Sequence, residues 1–282
     1  MKPVFSLCNK LAKLVSLITF LYFFIAAVTL ALFSDYLIFK GNDLTLKTEQ
    51  KTLNIDDHTT TKYHLFGDLN NQQCVIFFPG RHGLLSHYQI LFTKLNQQGI
   101  TVYALSYPGF EGAIGQARQS SITQLNDRTI RTIFKNSQCN LQTTVFTGRS
   151  LGSFLALSSA ATHHPAGIIV DSVPVSLSDS MDRELKTKWY LKPMSLLPLN
   201  LLIKNVRLTD LLAPIEPLYD QQSIVIIQGE SDVITPLSSL QNTLKSYHRV
   251  KLIQIKKADH SNVFILGEQT YIEYILRNVD KK

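Results

Sequence analysis

Residues 143–161 read TTVFTGRSLGSFLALSSAA, in which the residue types follow the order of a buried strand, a tight turn and a helix. Thr143–Thr147 is β-branched or aromatic throughout, as suits a strand inside a sheet. Leu151–Ala161 is rich in alanine and other small residues, which let a helix pack closely. Between them stands Gly148-Arg149-Ser150-Leu151-Gly152, the only G-x-S-x-G in the chain. A serine on such a turn is held in a strained backbone conformation with its hydroxyl exposed. The turn tolerates only small neighbours, and Gly148 and Gly152 supply the space.

Working outward, the same alternation recurs. Cys74–Phe78 (CVIFF), Ile100–Leu105 (ITVYAL), Gly167–Val170 (GIIV), Ile224–Ile227 (IVII) and Val250–Ile255 (VKLIQI) are short apolar runs of the kind buried on both faces of a sheet. Helical periodicity separates them: Leu84, Tyr88, Leu91, Phe92 and Leu95, with Gly99 as a stop; Ile122, Leu125, Ile133 and Phe134; and Ile272, Ile275, Leu276 and Val279 near the end. Thr235 and Pro236 suit a helix cap and first position. Leu44–Ile55 and Thr60–Phe66 alternate like an exposed hairpin. These patterns predict an α/β fold, a mostly parallel sheet with helices on both faces and an antiparallel start. Residues 176–222 break the alternation with 47 residues containing several prolines, the length and composition of a lid or substrate-binding insertion. Trp189, Tyr190, Leu191, Met194, Leu196 and Leu197 in it would either line an apolar pocket or cover the sheet's edge.

A serine hydroxyl needs a base, and the base a third group to orient it. In this kind of fold both follow the serine, on loops after later strands, where open α/β sheets place their ligands. Asp232 follows the run IVIIQG and His260 follows VKLIQI, so Ser150, Asp232 and His260 are the expected catalytic residues. Asp171, after GIIV, and Glu230 compete for the acid role. His58, His64, His163, His164 and His248 are poorly placed for the base. A tetrahedral oxyanion also needs donors. The expected ones are the backbone N–H groups of Leu151 and of Arg81, in the loop Pro79-Gly80-Arg81-His82-Gly83. His82 is either a polar neighbour of the site or a surface histidine.

The N-terminus carries a different signal. Leu14–Phe33 holds twenty residues without a charge, which as a helix reach about the 30 Å of a bilayer core. A cleaved signal peptide is the rival, but its apolar region is shorter and ends in an Ala-x-Ala-like site, which does not precede Ser34. We therefore expect a cytoplasmic N-terminus over residues 1–13, a transmembrane signal anchor over 14–33 and a catalytic domain over 44–282. Lys2, Lys10 and Lys13 against Lys40 and Lys47 bias the span toward N-in and put the domain outside the cytoplasm. Those three lysines precede the first acidic residue, Asp35, so the formal charge of +7 shrinks to 25 basic against 21 acidic residues beyond them. That scattered surplus forms no basic stripe, and no nucleic-acid partner is expected. The chain is 45% hydrophobic and 17% charged, which excludes disorder, and three cysteines are too few for a disulfide scaffold.

Taken together, these residues resemble the α/β-hydrolase superfamily from about Leu44 to the C-terminus. CVIFF with Pro79-Gly80-Arg81 resembles the family's apolar strand followed by His-Gly. Tyr107-Pro108-Gly109-Phe110, with Gly115 beyond, resembles the loop Tyr-Arg-Gly-Tyr-Gly-x-Ser-x-Gly of its membrane-anchored serine hydrolases. The single N-terminal span is similar to the branch of α/β-hydrolase domain-containing protein thirteen. The resemblance implies an eight-stranded sheet of order 1-2-4-3-5-6-7-8, no metal and no organic cofactor. It implies a serine hydrolase acting on a small-molecule or lipid-derived ester or thioester, with a serine peptidase or a catalytically silent binding module as alternatives. Two departures stand out: Pro79 replaces the histidine, and Glu111 stands where glycine is common. The implied order makes the strands near Cys74 and after Cys139 parallel neighbours, so that these cysteines are either disulfide-bonded or two buried thiols.

Overall fold

The computed structural model describes residues 2–42 and 46–280. Helix α1 (Lys2–Ile38) leads into the strands β1 (Glu49–Asp56), β2 (Thr59–Phe66), β3 (Cys74–Phe78), β4 (Thr101–Ser106), β5 (Thr144–Arg149), β6 (Gly167–Asp171), β7 (Ile224–Gly229) and β8 (Val250–Ile255). They form one sheet of order β1-β2-β4-β3-β5-β6-β7-β8. Only β2 runs against its neighbours, pairing antiparallel with β1 and β4, and every pair from β4 to β8 is parallel. The expected hairpin is present, although residues 44 and 45 of its expected start lie outside the described residues.

Helices α2 (Gln89–Gln97), α3 (Ile122–Lys135) and α4 (Leu151–His163) connect the central strands, and α5 (Leu177–Lys186), α6 (Leu199–Leu202) and α7 (Leu208–Leu212) follow β6. Helices α8 (Leu237–Leu244), α9 (Val263–Leu266) and α10 (Glu268–Val279) complete the chain. Alternate residues of each central strand feed two separate cores, as period-two geometry requires. Ile76, Phe78, Phe146, Ile168 and Ile226 pack toward α3, α4 and the lid segment, while Val75, Phe77, Val145, Ile169 and Val225 pack toward α2, α9 and α10. Cys74 and Cys139 are joined by a disulfide across Cα atoms 5.8 Å apart, which resolves the two alternatives.

One helix in the described residues is long and apolar enough to cross a membrane, over Asn9–Ile38. Phe33 interrupts its helical run with φ −122° and ψ 18°, at the end of the uncharged stretch. Beyond that kink the chain is docked onto the domain and is not a free tether. Asp35 accepts the Gln119 N–H at 2.9 Å, Phe39 O accepts Gln116 Nε2 at 3.2 Å, and the Lys40 and Gly41 N–H groups both donate to Arg81 O. Ala26, Leu30, Ile38 and Phe39 join the larger core.

Candidate active site

Strand β5 delivers the chain to Ser150 at the first turn of α4, where the backbone takes φ 52° and ψ −118°. This is the left-handed strain expected of the turn, and the two glycines make it possible. A Cβ on Gly148 would stand 2.4 Å from Gly152 O, and one on Gly152 would stand 2.0 Å from Phe78 O. The second clash also shows how closely the turn abuts the end of β3. Because Phe78 pairs with Gly148, the Pro79–Gly83 loop emerges beside the serine, and a Cβ on Gly80 would lie 3.9 Å from Ser150 Cβ.

His260 Nδ1 lies 2.9 Å from Asp232 Oδ2. Asp232 is buried, yet its carboxylate is fully served. Oδ1 accepts the Ile234 and Thr235 N–H groups at 2.9 and 2.8 Å, and Oδ2 accepts the Thr235 hydroxyl at 2.6 Å and Gln228 Nε2 at 3.1 Å. Burial pushes its pKa up, but the hydrogen bond and charge of His260, with the Thr235 donors, outweigh that and hold it below the usual carboxylate value. Thr235 therefore serves the acid and is not the cap expected of it. Pro236 occupies the N-cap position and α8 begins at Leu237.

The rival acids are occupied elsewhere. Glu230 is exposed. Asp171, fully buried, accepts the Tyr271 hydroxyl and faces Arg149, whose Nε lies 3.6 Å from Oδ1. Arg149 is the unassigned x of the G-x-S-x-G turn. Its guanidinium also donates to Tyr88 Oη at 3.2 Å and to the backbone carbonyl of His260, and it stands 5.4 Å from the centre of the Phe264 ring. The sequence offers no sign of this, because Tyr88, Asp171, His260, Phe264 and Tyr271 meet around Arg149 only when the sheet is assembled.

Ser150, His260, Arg81 and Leu151 all line one cavity of about 400 Å³. His82 lines it too, and burial with the nearby Arg81, Lys40, Arg149 and His260 charges pulls its pKa down to about 4. The two departures from the family pattern also find their reasons. Tyr107 Oη donates to Pro79 O at 3.3 Å and so steadies the loop that lacks the histidine. Glu111 adopts φ 47°, the conformation for which glycine is usual, and is held there by Leu46 and Leu85 N–H groups donating to its carboxylate at 3.1 and 3.2 Å.

The lid segment contributes differently from expectation. Leu177, Met181 and Glu184 of α5 line the cavity, and Met194 is buried, but Trp189, Tyr190 and Leu196 point outward. Leu37 and Ile38 of α1, which lie between the expected span and the expected domain, form part of its wall as well. Arg81 ties both walls together, pairing with Glu184 and donating to Leu37 O. Burial lowers its pKa to about 10. Among the described residues no group of three or more His, Cys, Asp or Glu side chains could hold a metal ion.

Sheet order, strained serine turn and cavity at the carboxyl ends of the strands define an α/β-hydrolase. The sequence pattern described as "Serine aminopeptidase, S33" matches residues 70–257, two thirds of the chain, and the protein belongs to that family. No curated protein matches it. Among solved structures it is similar to an esterase from Pyrococcus furiosus, with TM-score 0.64 and 15% identity over 85% of this chain and 99% of the other. A structure described among carboxylesterases of the thaumarchaeon Nitrososphaera gargenis aligns with TM-score 0.60 and 14% identity over 81% and 98%. The thioesterase domain of the curacin biosynthetic pathway aligns with TM-score 0.58 and 15% identity over 82% and 100%. At such identities the likeness is one of fold.

Proposed function

We propose that the protein is a membrane-anchored serine hydrolase that cleaves carboxylic esters or thioesters through an acyl-enzyme. The observation that carries this reading is a strained, cavity-lining Ser150 sharing its cavity with a histidine whose other nitrogen is held by a buried, fully hydrogen-bonded aspartate. Ser150 attacks the carbonyl carbon, and His260 takes the hydroxyl proton and returns it to the leaving group. Asp232 orients His260 and stabilises its charged form. The Leu151 and Arg81 N–H groups receive the developing oxyanion. Water then repeats the cycle on the acyl-enzyme, again with His260 as base.

Esters and thioesters are favoured over N-terminal peptide substrates, despite the family's description, by the cavity's charges. An aminopeptidase needs a free acid for the substrate ammonium, and Glu184, the acid of the cavity lining, is paired with Arg81. The anchor reading rests on the uncharged run Leu14–Phe33, and a domain outside the cytoplasm is supported by the lysine bias and by the Cys74–Cys139 disulfide. These features, with the Tyr107–Gly115 loop, favour the single-span branch of the superfamily.

Fluorophosphonate labelling of purified protein tests the proposal. Labelling of the wild type that is lost in both Ser150→Ala and His260→Ala is expected. A folded wild type that neither takes the probe nor hydrolyses p-nitrophenyl acetate would overturn it in favour of a silent binding module.

A further inference from the structure

We infer that the lid's outer face lies in the membrane leaflet on the domain's side and that the active-site cavity takes acyl substrates resident in the bilayer. The inference rests on the anchored-hydrolase reading above and adds where the substrate comes from. Two contacts place the lid along α1: the Tyr22 hydroxyl donates to Tyr190 O at 2.9 Å, and α6 packs against the same helix. Tyr22 is deep in the uncharged run. From Leu14 to Tyr22 is nine residues, about 14 Å of helix, against a hydrocarbon core of about 30 Å. A bilayer that begins beside Lys10 and Lys13 therefore extends well past Tyr22, to the level at which the lid lies against the helix.

The lid's surface fits that surrounding. Trp189 is 85% exposed, Leu196 78% and Leu201 79%, with Tyr190 half-exposed beside them. Such large apolar groups at the tip of one segment are costly in water and favourable against lipid. The Tyr22–Tyr190 bond also gives a lid carbonyl the partner that lipid cannot supply. The cavity follows from the same arrangement, for its walls include the end of α1 (Leu37, Ile38) and the inner side of the lid (Leu177, Met181), tied together by Arg81. An acyl chain leaving the leaflet along α1 meets that wall first.

Trp189 is the only tryptophan in the chain, so its emission reports this one site. The full-length protein is reconstituted into phosphatidylcholine vesicles, and its retention after alkaline carbonate washing is measured separately. We expect retention, blue-shifted emission, quenching by brominated phosphatidylcholine and protection from iodide. Release by carbonate would remove the anchor itself and the inference with it. Retention with quenching by iodide and none by brominated lipid would overturn the inference and leave the anchor standing. A second readout uses Leu196→Asp and Leu201→Asp. Hydrolysis of a long-chain ester embedded in vesicles should fall about tenfold, the effect of forcing one charge into the leaflet's edge, while hydrolysis of a short water-soluble ester stays at the wild-type rate. Equal loss on both substrates, or on neither, would overturn it.

Discussion

The guanidinium of Arg149 donates to the backbone carbonyl of His260, so the residue next to Ser150 holds the loop that carries His260. The same side chain faces Asp171 and Tyr88, and one buried cation thus fixes three elements around the site. Arg149→Leu leaves Asp171 as an uncompensated buried charge, which should cost about 3–5 kcal/mol of stability. Arg149→Lys retains the charge but cannot serve three partners at once. For it we expect a native-like melting temperature, unchanged KM and a kcat reduced by up to about 100-fold, the scale of a small misplacement of the catalytic group. A kcat equal to that of the wild type would reduce Arg149 to a structural role.

Asp232 is tuned by more than the histidine. Thr235→Val removes the 2.6 Å hydroxyl bond to Oδ2 and should cost about 1.5–3 kcal/mol, as for a hydrogen bond to a charged group. The carboxyl is held below its ordinary value in the folded protein, so its contribution to stability is present above the unfolded value of about 3.9 and is lost as pH falls through the folded one. The variant should lose stability at a higher pH than the wild type, as urea midpoints at a series of pH values would show. Asp232→Asn should lower kcat about 10⁴-fold by stabilising the wrong histidine tautomer.

The Cys74–Cys139 disulfide ties the amino end of β3 to the loop before β5 across 65 residues of sequence. A closed loop of that size restricts the unfolded chain enough to contribute about 4 kcal/mol. Cys74→Ala with Cys139→Ala should lower the melting temperature clearly, and reduction of the wild type with dithiothreitol should reproduce the drop. The active site lies at the opposite ends of these strands, so activity below the new transition should be unchanged.

His64 is buried in β2, its Nδ1 lies 3.0 Å from the Thr48 hydroxyl, and burial with the nearby Lys62 charge lowers its pKa to about 4. Between that value and the unfolded value of about 6.5 the unfolded chain binds a proton that the folded chain does not. Stability therefore falls as pH drops through this window. His64→Gln should flatten the dependence by about one proton per molecule, measured from chemical denaturation between pH 4 and pH 6.5. A slope identical to wild type would show that His64 is protonated in the folded state.

Much of this molecule is legible one segment at a time. The strained serine turn was readable because its requirements are local: a β-branched strand, two glycines where any Cβ would strike backbone, and a helix of small residues. Strand positions were equally legible, since burial on both faces leaves continuous apolar runs. Asp232 and His260 could be selected because each follows such a run directly, and the structure brings those two side chains together. Which of Asp171 and Asp232 meets His260 was a matter of three-dimensional direction: Asp171 meets Arg149 and Tyr271, and Asp232 meets His260.

The sequence by itself determined the alternation of elements, the serine turn and the uncharged N-terminal run, because each depends on residues adjacent in the chain and on the solvent their side chains require. Tertiary structure alone decided which face of the lid is apolar outward, that α1 supplies a wall of the cavity, and that Arg149 binds the histidine loop. Those outcomes depend on contacts between segments far apart in the chain. Trp189 reads the same in a sequence whether it lines a pocket or faces outward, and only the folded chain leaves it exposed and outside the cavity's lining.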